Sequence, residues 1–147
     1  MPPKRGLQHR PLGCDSFRSM QPGHLEFCML GGLDVRRDSK RLELPPSKKT
    51  RALLAYLVLT SRSHRRDALC NLLWDVTDDP RGALRWSLSK LRKQVDDPDT
   101  KRITSDGGQI AFEAHGAAVD VLEMRKALGG TSLSSVPDQT LETWCGR

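Results

Sequence analysis

A chain of 147 residues has room for one ordinary domain, or for a small domain with a tail. Apolar residues make up 37%, charged residues 29% and aromatics 5%, a balance that suits a soluble, mostly helical or mixed chain. Its longest uninterrupted apolar run, Ala52–Leu59, falls far short of the roughly 20 residues of a spanning helix, so a membrane-spanning reading is excluded.

A secretory signal is excluded as well, because residues 1–23 carry Lys4, Arg5, Arg10 and Arg18 with no apolar stretch behind them. The expected location is therefore the cytoplasm. Cys14, Cys28, Cys70 and Cys145 lie far apart and form no CxxC pair. Cys28 and Cys70 fall inside apolar segments and are expected as small buried side chains, not as metal or redox groups. A disulfide scaffold is not expected.

Charge is unevenly divided. Residues 1–23 hold four basic and one acidic group, residues 24–95 hold fifteen and eight, and residues 96–147 hold five and nine. The net +6 is thus concentrated in the first two thirds, which points to a polyanionic partner for that part.

In chain order, residues 1–23 are rich in Pro, Gly and Arg without periodicity and are expected to be a disordered basic tail. Leu25–Leu30, Leu33–Val35 and Leu42–Leu44, separated by Gly31-Gly32 and by the polar Arg37–Lys40, predict an antiparallel meander of two or three short strands. Ser47 predicts a helix N-cap, and Leu53, Leu54, Leu57 and Val58 form a stripe at helical spacing through about Thr60. After the polar SRSHRR, a second helix is predicted over about Arg66–Trp74, with Leu69, Leu72 and Leu73 inward. A third begins with Asp79 as cap and Pro80 at the first helical position, and runs to about Val95. Leu84, Leu88, Leu91 and Val95 give it one apolar stripe.

Asp96-Asp97-Pro98 ends that helix. Arg102–Ser105 and Gln109–Phe112 then predict a hairpin joined by Asp106-Gly107-Gly108, whose residues tolerate positive φ. Val119–Leu128 predicts a short amphipathic helix, and the Ser/Thr-rich remainder a flexible tail. The expected division is therefore a tail (1–23), a folded domain (24–118), and a short helix with a tail (119–147).

Strands, three helices and a hairpin, in that order, are the plan of an α+β winged helix-turn-helix, with an N-terminal antiparallel sheet and a C-terminal hairpin wing. With the apolar stripe of the third helix turned inward, Trp86 and Lys93 lie nearly opposite it. Ser89 and Lys90 flank them, and Arg85 and Arg92 lie toward one side. That outer face carries cations and a hydroxyl but no carboxylate, a chemistry suited to phosphates and to purine acceptor edges.

Residues 25–122 resemble the OmpR/PhoB-type DNA-binding domain in the version that opens the SARP/AfsR family of bacterial transcriptional activators. The stretches that carry the resemblance are Met29–Val35, Ser47–Leu57, Arg66–Leu69 with Leu72-Leu73-Trp74, and Ala83–Lys93. The resemblance implies sequence-specific binding of double-stranded DNA, at direct repeats in promoters. It puts helix 80–95 in the major groove and the wing 102–112 on the backbone. RNA polymerase and a homodimer on DNA are further partners in that picture.

By resemblance, Arg85, Ser89, Lys90 and Arg92 fall on the recognition helix where it touches DNA, with Trp86 and Lys93 on the same face. Lys48, Lys49 and Arg65 are candidates for phosphate contact. Family members continue into a helical activation domain, which Val119-Asp120-Val121 resembles at its start. About 25 residues follow, so a truncated form without a phosphoacceptor receiver is expected.

No catalytic, cofactor or metal site is expected. Asp78-Asp79 and Asp96–Asp99 flank a helix as cap and stop, and His9, His24, His64 and His115 lack metal-ligand spacing. Asp106-Gly107-Gly108 is a turn without the pattern of a phosphate loop. Trp74 ends an apolar stripe and is expected in the core. The alternative to a regulator is a non-catalytic interaction module, the front end of a larger signalling protein, binding protein instead of DNA.

Overall fold

Alternation of buried and half-buried side chains starts the fold. β1 (Leu25–Cys28) and β2 (Asp34–Arg37) pair antiparallel, with Leu25 opposite Arg37 and Cys28 opposite Asp34. Leu25, Phe27 and Val35 are buried. The computed structural model describes residues 23–129, so the two expected tails lie outside the described residues apart from Gly23.

β2 turns into β3 (Lys40–Arg41) through Asp38 and Ser39, with φ of 50° and 66°. Positive φ at both turn residues matches the right-handed twist of the flanking strands. The Asp38 carboxylate fixes the turn by accepting from the N–H groups of Gly23 (2.8 Å) and His24 (3.2 Å). The third strand was expected at Leu42–Leu44. It lies earlier because this tight turn sets Lys40 opposite Arg37 and Arg41 opposite Arg36.

Three helices follow. α1 (Lys48–Thr60) is capped by Ser47, whose hydroxyl accepts from the Thr50 N–H at 3.3 Å. It buries Leu53, Leu54, Leu57 and Val58, as the spacing predicts. α2 (Arg66–Trp74) buries Leu69, Cys70 and Trp74. Here the predicted phase is partly wrong, for Leu72 is 54% exposed and Leu73 only half-buried. The inward face instead runs over Leu69, Cys70 and Trp74, and at 100° per residue Leu72 falls well to one side of it. α3 (Pro80–Val95) starts as predicted, with the Asp79 carboxylate accepting from the Gly82 N–H at 2.8 Å. Leu84, Leu88, Leu91 and Val95 are all buried.

The second sheet has the order β4 (His64–Arg65), β6 (Gln109–Phe112), β5 (Ile103–Asp106). Its hairpin turn is shorter than expected: Asp106 pairs with Gln109 inside the ladder, leaving Gly107 (φ 53°) and Gly108 (φ 79°) as the turn. Arg102 lies just before β5. Phe27 of the first sheet and Phe112 of the second meet edge to face, with ring centroids 5.2 Å apart.

β7 (Ala118–Val119) joins the first sheet beside β1 in parallel, giving the order β3-β2-β1-β7, so that sheet is mixed where a purely antiparallel one was expected. α4 (Asp120–Leu128) follows at once. Its first residue ties it down, because the Asp120 carboxylate accepts from the N–H groups of Met29 (2.8 Å) and Leu30 (3.0 Å). The expected boundary after residue 118 therefore cuts through β7, and Val119 belongs to the core. Among the described residues the fold is α+β, with two small sheets and four helices.

One ionic cluster joins the end of α3 to both sheets. The Arg102 guanidinium, 5% exposed, donates to the carbonyls of Val95 (2.9 Å) and Ala114 (3.3 Å) and pairs with Asp97. Asp97 also pairs with Arg37 at 2.9 Å, and Arg37 donates to the Gln94 carbonyl at 3.1 Å. Asp96 accepts from the N–H groups of Arg102 (2.8 Å) and Ile103 (3.1 Å). The acidic stretch read as a helix stop is thus also the anchor of the hairpin.

His64 is buried against Tyr56, and its Nε2 lies 2.7 Å from the Thr60 hydroxyl. That hydroxyl donates to the Tyr56 carbonyl at 2.8 Å, so Nε2 carries the proton and donates to Thr60. Burial first, and the Arg62 charge second, lower the His64 pKa from 6.5. The unfolded chain therefore binds a proton at a pH where the fold excludes it. Stability from this site is full above about pH 6.5 and falls as the pH drops through that value. His64→Gln is expected to flatten the fall in melting temperature between about pH 7 and pH 5. An unchanged slope in that window would show that His64 is not the titrating group.

Cys70 is buried and free, as expected, and burial raises its thiol pKa. Cys28 departs from expectation: it is half-buried and disulfide-bonded.

Candidate nucleic-acid interface

Because the leucine stripe fixes the inner side of α3, its outer side is fixed too. Arg85, Trp86, Ser89, Lys90 and Lys93 are exposed there, and no carboxylate of α3 interrupts them. Trp86 is 49% exposed, and the Lys90 ammonium lies 5.5 Å from its ring centroid. This cation–π contact holds an apolar plate and a charge side by side on the surface. Guanidinium and ammonium donors in such a row can serve phosphate oxygens and the N7 and O6 acceptors of purines.

Ser87, within the same helix, is buried and shares a 2.8 Å hydrogen bond with the Thr50 hydroxyl. That bond sets the first turn of α1 against the middle of α3. Lys48 and Lys49, both exposed, open α1 just before Thr50. Nothing in the α3 periodicity marks Ser87 as an inward residue apart from its place between Leu84 and Leu88.

Arg92 sits differently from the other predicted residues. It is half-buried, donating from Nε to the Ile103 carbonyl (3.1 Å) and from Nη2 to the Ser105 hydroxyl (2.6 Å). Its guanidinium binds the hairpin to α3 and does not stand out into solvent with Arg85 and Lys90. The pairing partner of an arginine across a sheet edge leaves no trace in the helical wheel.

Arg65 is exposed on β4, opposite Gln109 of β6. It lines a groove of about 820 Å³ together with Arg66, Asp67, Arg81, Arg85 and the hairpin turn. The Arg66 N–H donates to the Gly108 carbonyl at 3.0 Å, which closes the hairpin onto the start of α2. Arg66 and Arg81 thus join the site although neither was singled out. The missing signal is β4, two residues long inside a polar linker.

The hairpin itself, Ile103–Phe112, contains no Lys or Arg and carries Asp106 beside its turn. Its exposed uncharged polar side chains are Ser105, whose hydroxyl accepts from Arg92, and the Gln109 amide. Among the described residues no group of three or more His, Cys, Asp or Glu could hold a metal, and no helix is long and apolar enough to cross a membrane. No protein-family model matches the chain, and no curated protein matches it either.

Proposed function

We propose that the chain is a sequence-specific, non-catalytic DNA-binding transcriptional regulator with a winged helix-turn-helix plan of the OmpR/PhoB and SARP kind. α3 enters the major groove and the β5–β6 hairpin lies along the backbone. Its place is the bacterial cytoplasm, at promoter direct repeats, where a homodimer and RNA polymerase complete the assembly. The observation that carries the reading is the outer face of α3, where Arg85, Lys90 and Lys93 stand exposed without a carboxylate of that helix among them. An ordinary solvated face mixes signs, and a one-sign face on a rigid helix attracts a polyanion.

Two measurements test it. Affinity for mixed genomic duplex DNA is expected to fall steeply and log-linearly with salt, as condensed counterions are released. A flat response, or no binding at low salt, would overturn the reading. Once a specific site is selected from that DNA, Arg85→Ala and Lys90→Ala are each expected to cost about 1–3 kcal/mol of binding. Both leave the melting temperature nearly unchanged, since neither side chain lies in the core.

A second reading, the protein-interaction front end of a signalling protein, is favoured by Leu72 and by Val76, which is 84% exposed in the α2–α3 turn. It predicts no salt-sensitive DNA binding, so the same titration separates the two.

A further inference from the structure

The groove between the hairpin turn, the start of α2 and the first half of α3 is lined by four guanidiniums, those of Arg65, Arg66, Arg81 and Arg85. One lining carboxylate answers them, Asp67, and it is engaged with Arg81 at 3.0 Å. The other three arginines, Arg65, Arg66 and Arg85, line the groove without an acidic lining partner. The floor includes Leu84, which is buried, and the hairpin side is glycine backbone and Gln109. Nothing bulky stands in the space, and about 820 Å³ exceeds what a single phosphate group fills.

We infer that this groove is a phosphate-binding site in which Asp67 detains Arg81 until an incoming phosphate takes its place. The inference rests on the DNA-binding reading and adds to it a selectivity element, the carboxylate. Guanidinium forks match phosphate oxygens in bidentate geometry, so a backbone phosphate seated among these arginines can take the place of the Asp67 carboxylate on Arg81. The Arg81–Asp67 pair is exposed on both sides, 75% and 65%, and an ion pair so open to water is weak. It is therefore removable. Until removed, it offsets one cation of the groove and repels any polyanion that does not fit closely. Asp67 thereby weakens binding to DNA in general, and a well-fitted backbone overcomes it by engaging Arg81 directly.

The test uses the full chain, mixed genomic duplex DNA and a sodium chloride series. Asp67→Asn keeps the shape and removes the charge. It is expected to tighten general DNA binding at low salt and to steepen the log–log salt slope by about one. That added slope amounts to roughly a three- to fourfold greater loss of affinity between about 50 and 200 mM salt. Arg65→Ala and Arg81→Ala are expected to change the slope by about one in the opposite direction. Melting curves check that each variant is folded, and the opposed signs guard against a general defect.

Wild-type slope and affinity in both Asp67→Asn and Arg65→Ala, with the parent chain still salt-sensitive, would overturn the groove assignment alone. A parent chain that shows no salt-sensitive binding would overturn the DNA reading beneath it. Inorganic phosphate, compared with chloride at matched ionic strength, separates the two sources of the ligand. Stronger displacement of DNA by phosphate, lost in Arg65→Ala, extends the site to the free ion. Equal displacement assigns it to the phosphodiester of the duplex.

Discussion

Replacing Arg102 with methionine is expected to destabilise the domain by about 3 kcal/mol, measured by denaturant unfolding, although arginine is ordinarily a surface residue. Methionine keeps most of the stem volume, so the loss reports the guanidinium and not a cavity. Two carbonyls, Val95 and Ala114, lose their donor, and Asp97 loses the more buried of its two partners. Removing one side of a buried ion pair leaves the other desolvated and incompletely paired, and that residue of charge is the main cost.

Asp97→Asn is expected to cost less, because an amide oxygen can still accept from Arg102 and Arg37. The double variant Arg102→Met with Asp97→Asn is expected to cost less than the sum of the single changes. Additive losses would show that the two side chains do not act as a pair.

Leu88→Ala is expected to cost about 2–5 kcal/mol, a large share of the total stability of a domain this size. Leu88 is 1% exposed at the centre of the α3 stripe, between Leu84 and Leu91. Truncation removes apolar surface from the core and leaves a cavity under the helix that carries the cationic face. Thermal unfolding of Leu88→Ala beside Arg85→Ala checks the phase directly, because the second is expected to melt like the parent. If Leu88→Ala melted like the parent too, the inner and outer sides of α3 would be misassigned.

Those two expectations differ in how early they can be read. Leu88 is legible in the sequence because Asp79 and Pro80 fix where α3 begins, and four apolar residues then recur on one side. Ser47 and the Leu53–Val58 stripe make α1 legible for the same reason. These are local signals, complete within one element. Arg102 is not legible, since only the meeting of α3, Arg37 and the loop before β5 makes its position buried. β4 and β7 are equally hidden: each is two residues long, defined by a partner strand far away in the chain.

The site divides in the same manner. Arg85, Trp86, Ser89, Lys90 and Lys93 follow from the helical wheel alone. Arg92 fails that wheel because Ile103 and Ser105 lie within its reach and capture it. Arg66 and Arg81 enter the groove only through the long-range contact of α2 with the hairpin turn. Leu72 was misplaced because the short α2 gives the periodicity too few turns to settle its phase.

The parallel pairing of β1 with β7 has a consequence for the order of events during synthesis. Glu26 and Phe27 meet Ala118 and Val119, and Met29 and Leu30 wait for Asp120, a separation of about 90 residues. At about 5–20 residues per second, β1 leaves the ribosome roughly 5–20 s before its second neighbour exists. During that interval one side of β1 presents unpaired N–H and C=O groups, the geometry that recruits strands from other chains. The helices and the β5–β6 hairpin, built from nearer contacts, are free to form meanwhile. The nascent chain thus passes through a stage with one edge of β1 open, closed only when β7 and Asp120 emerge.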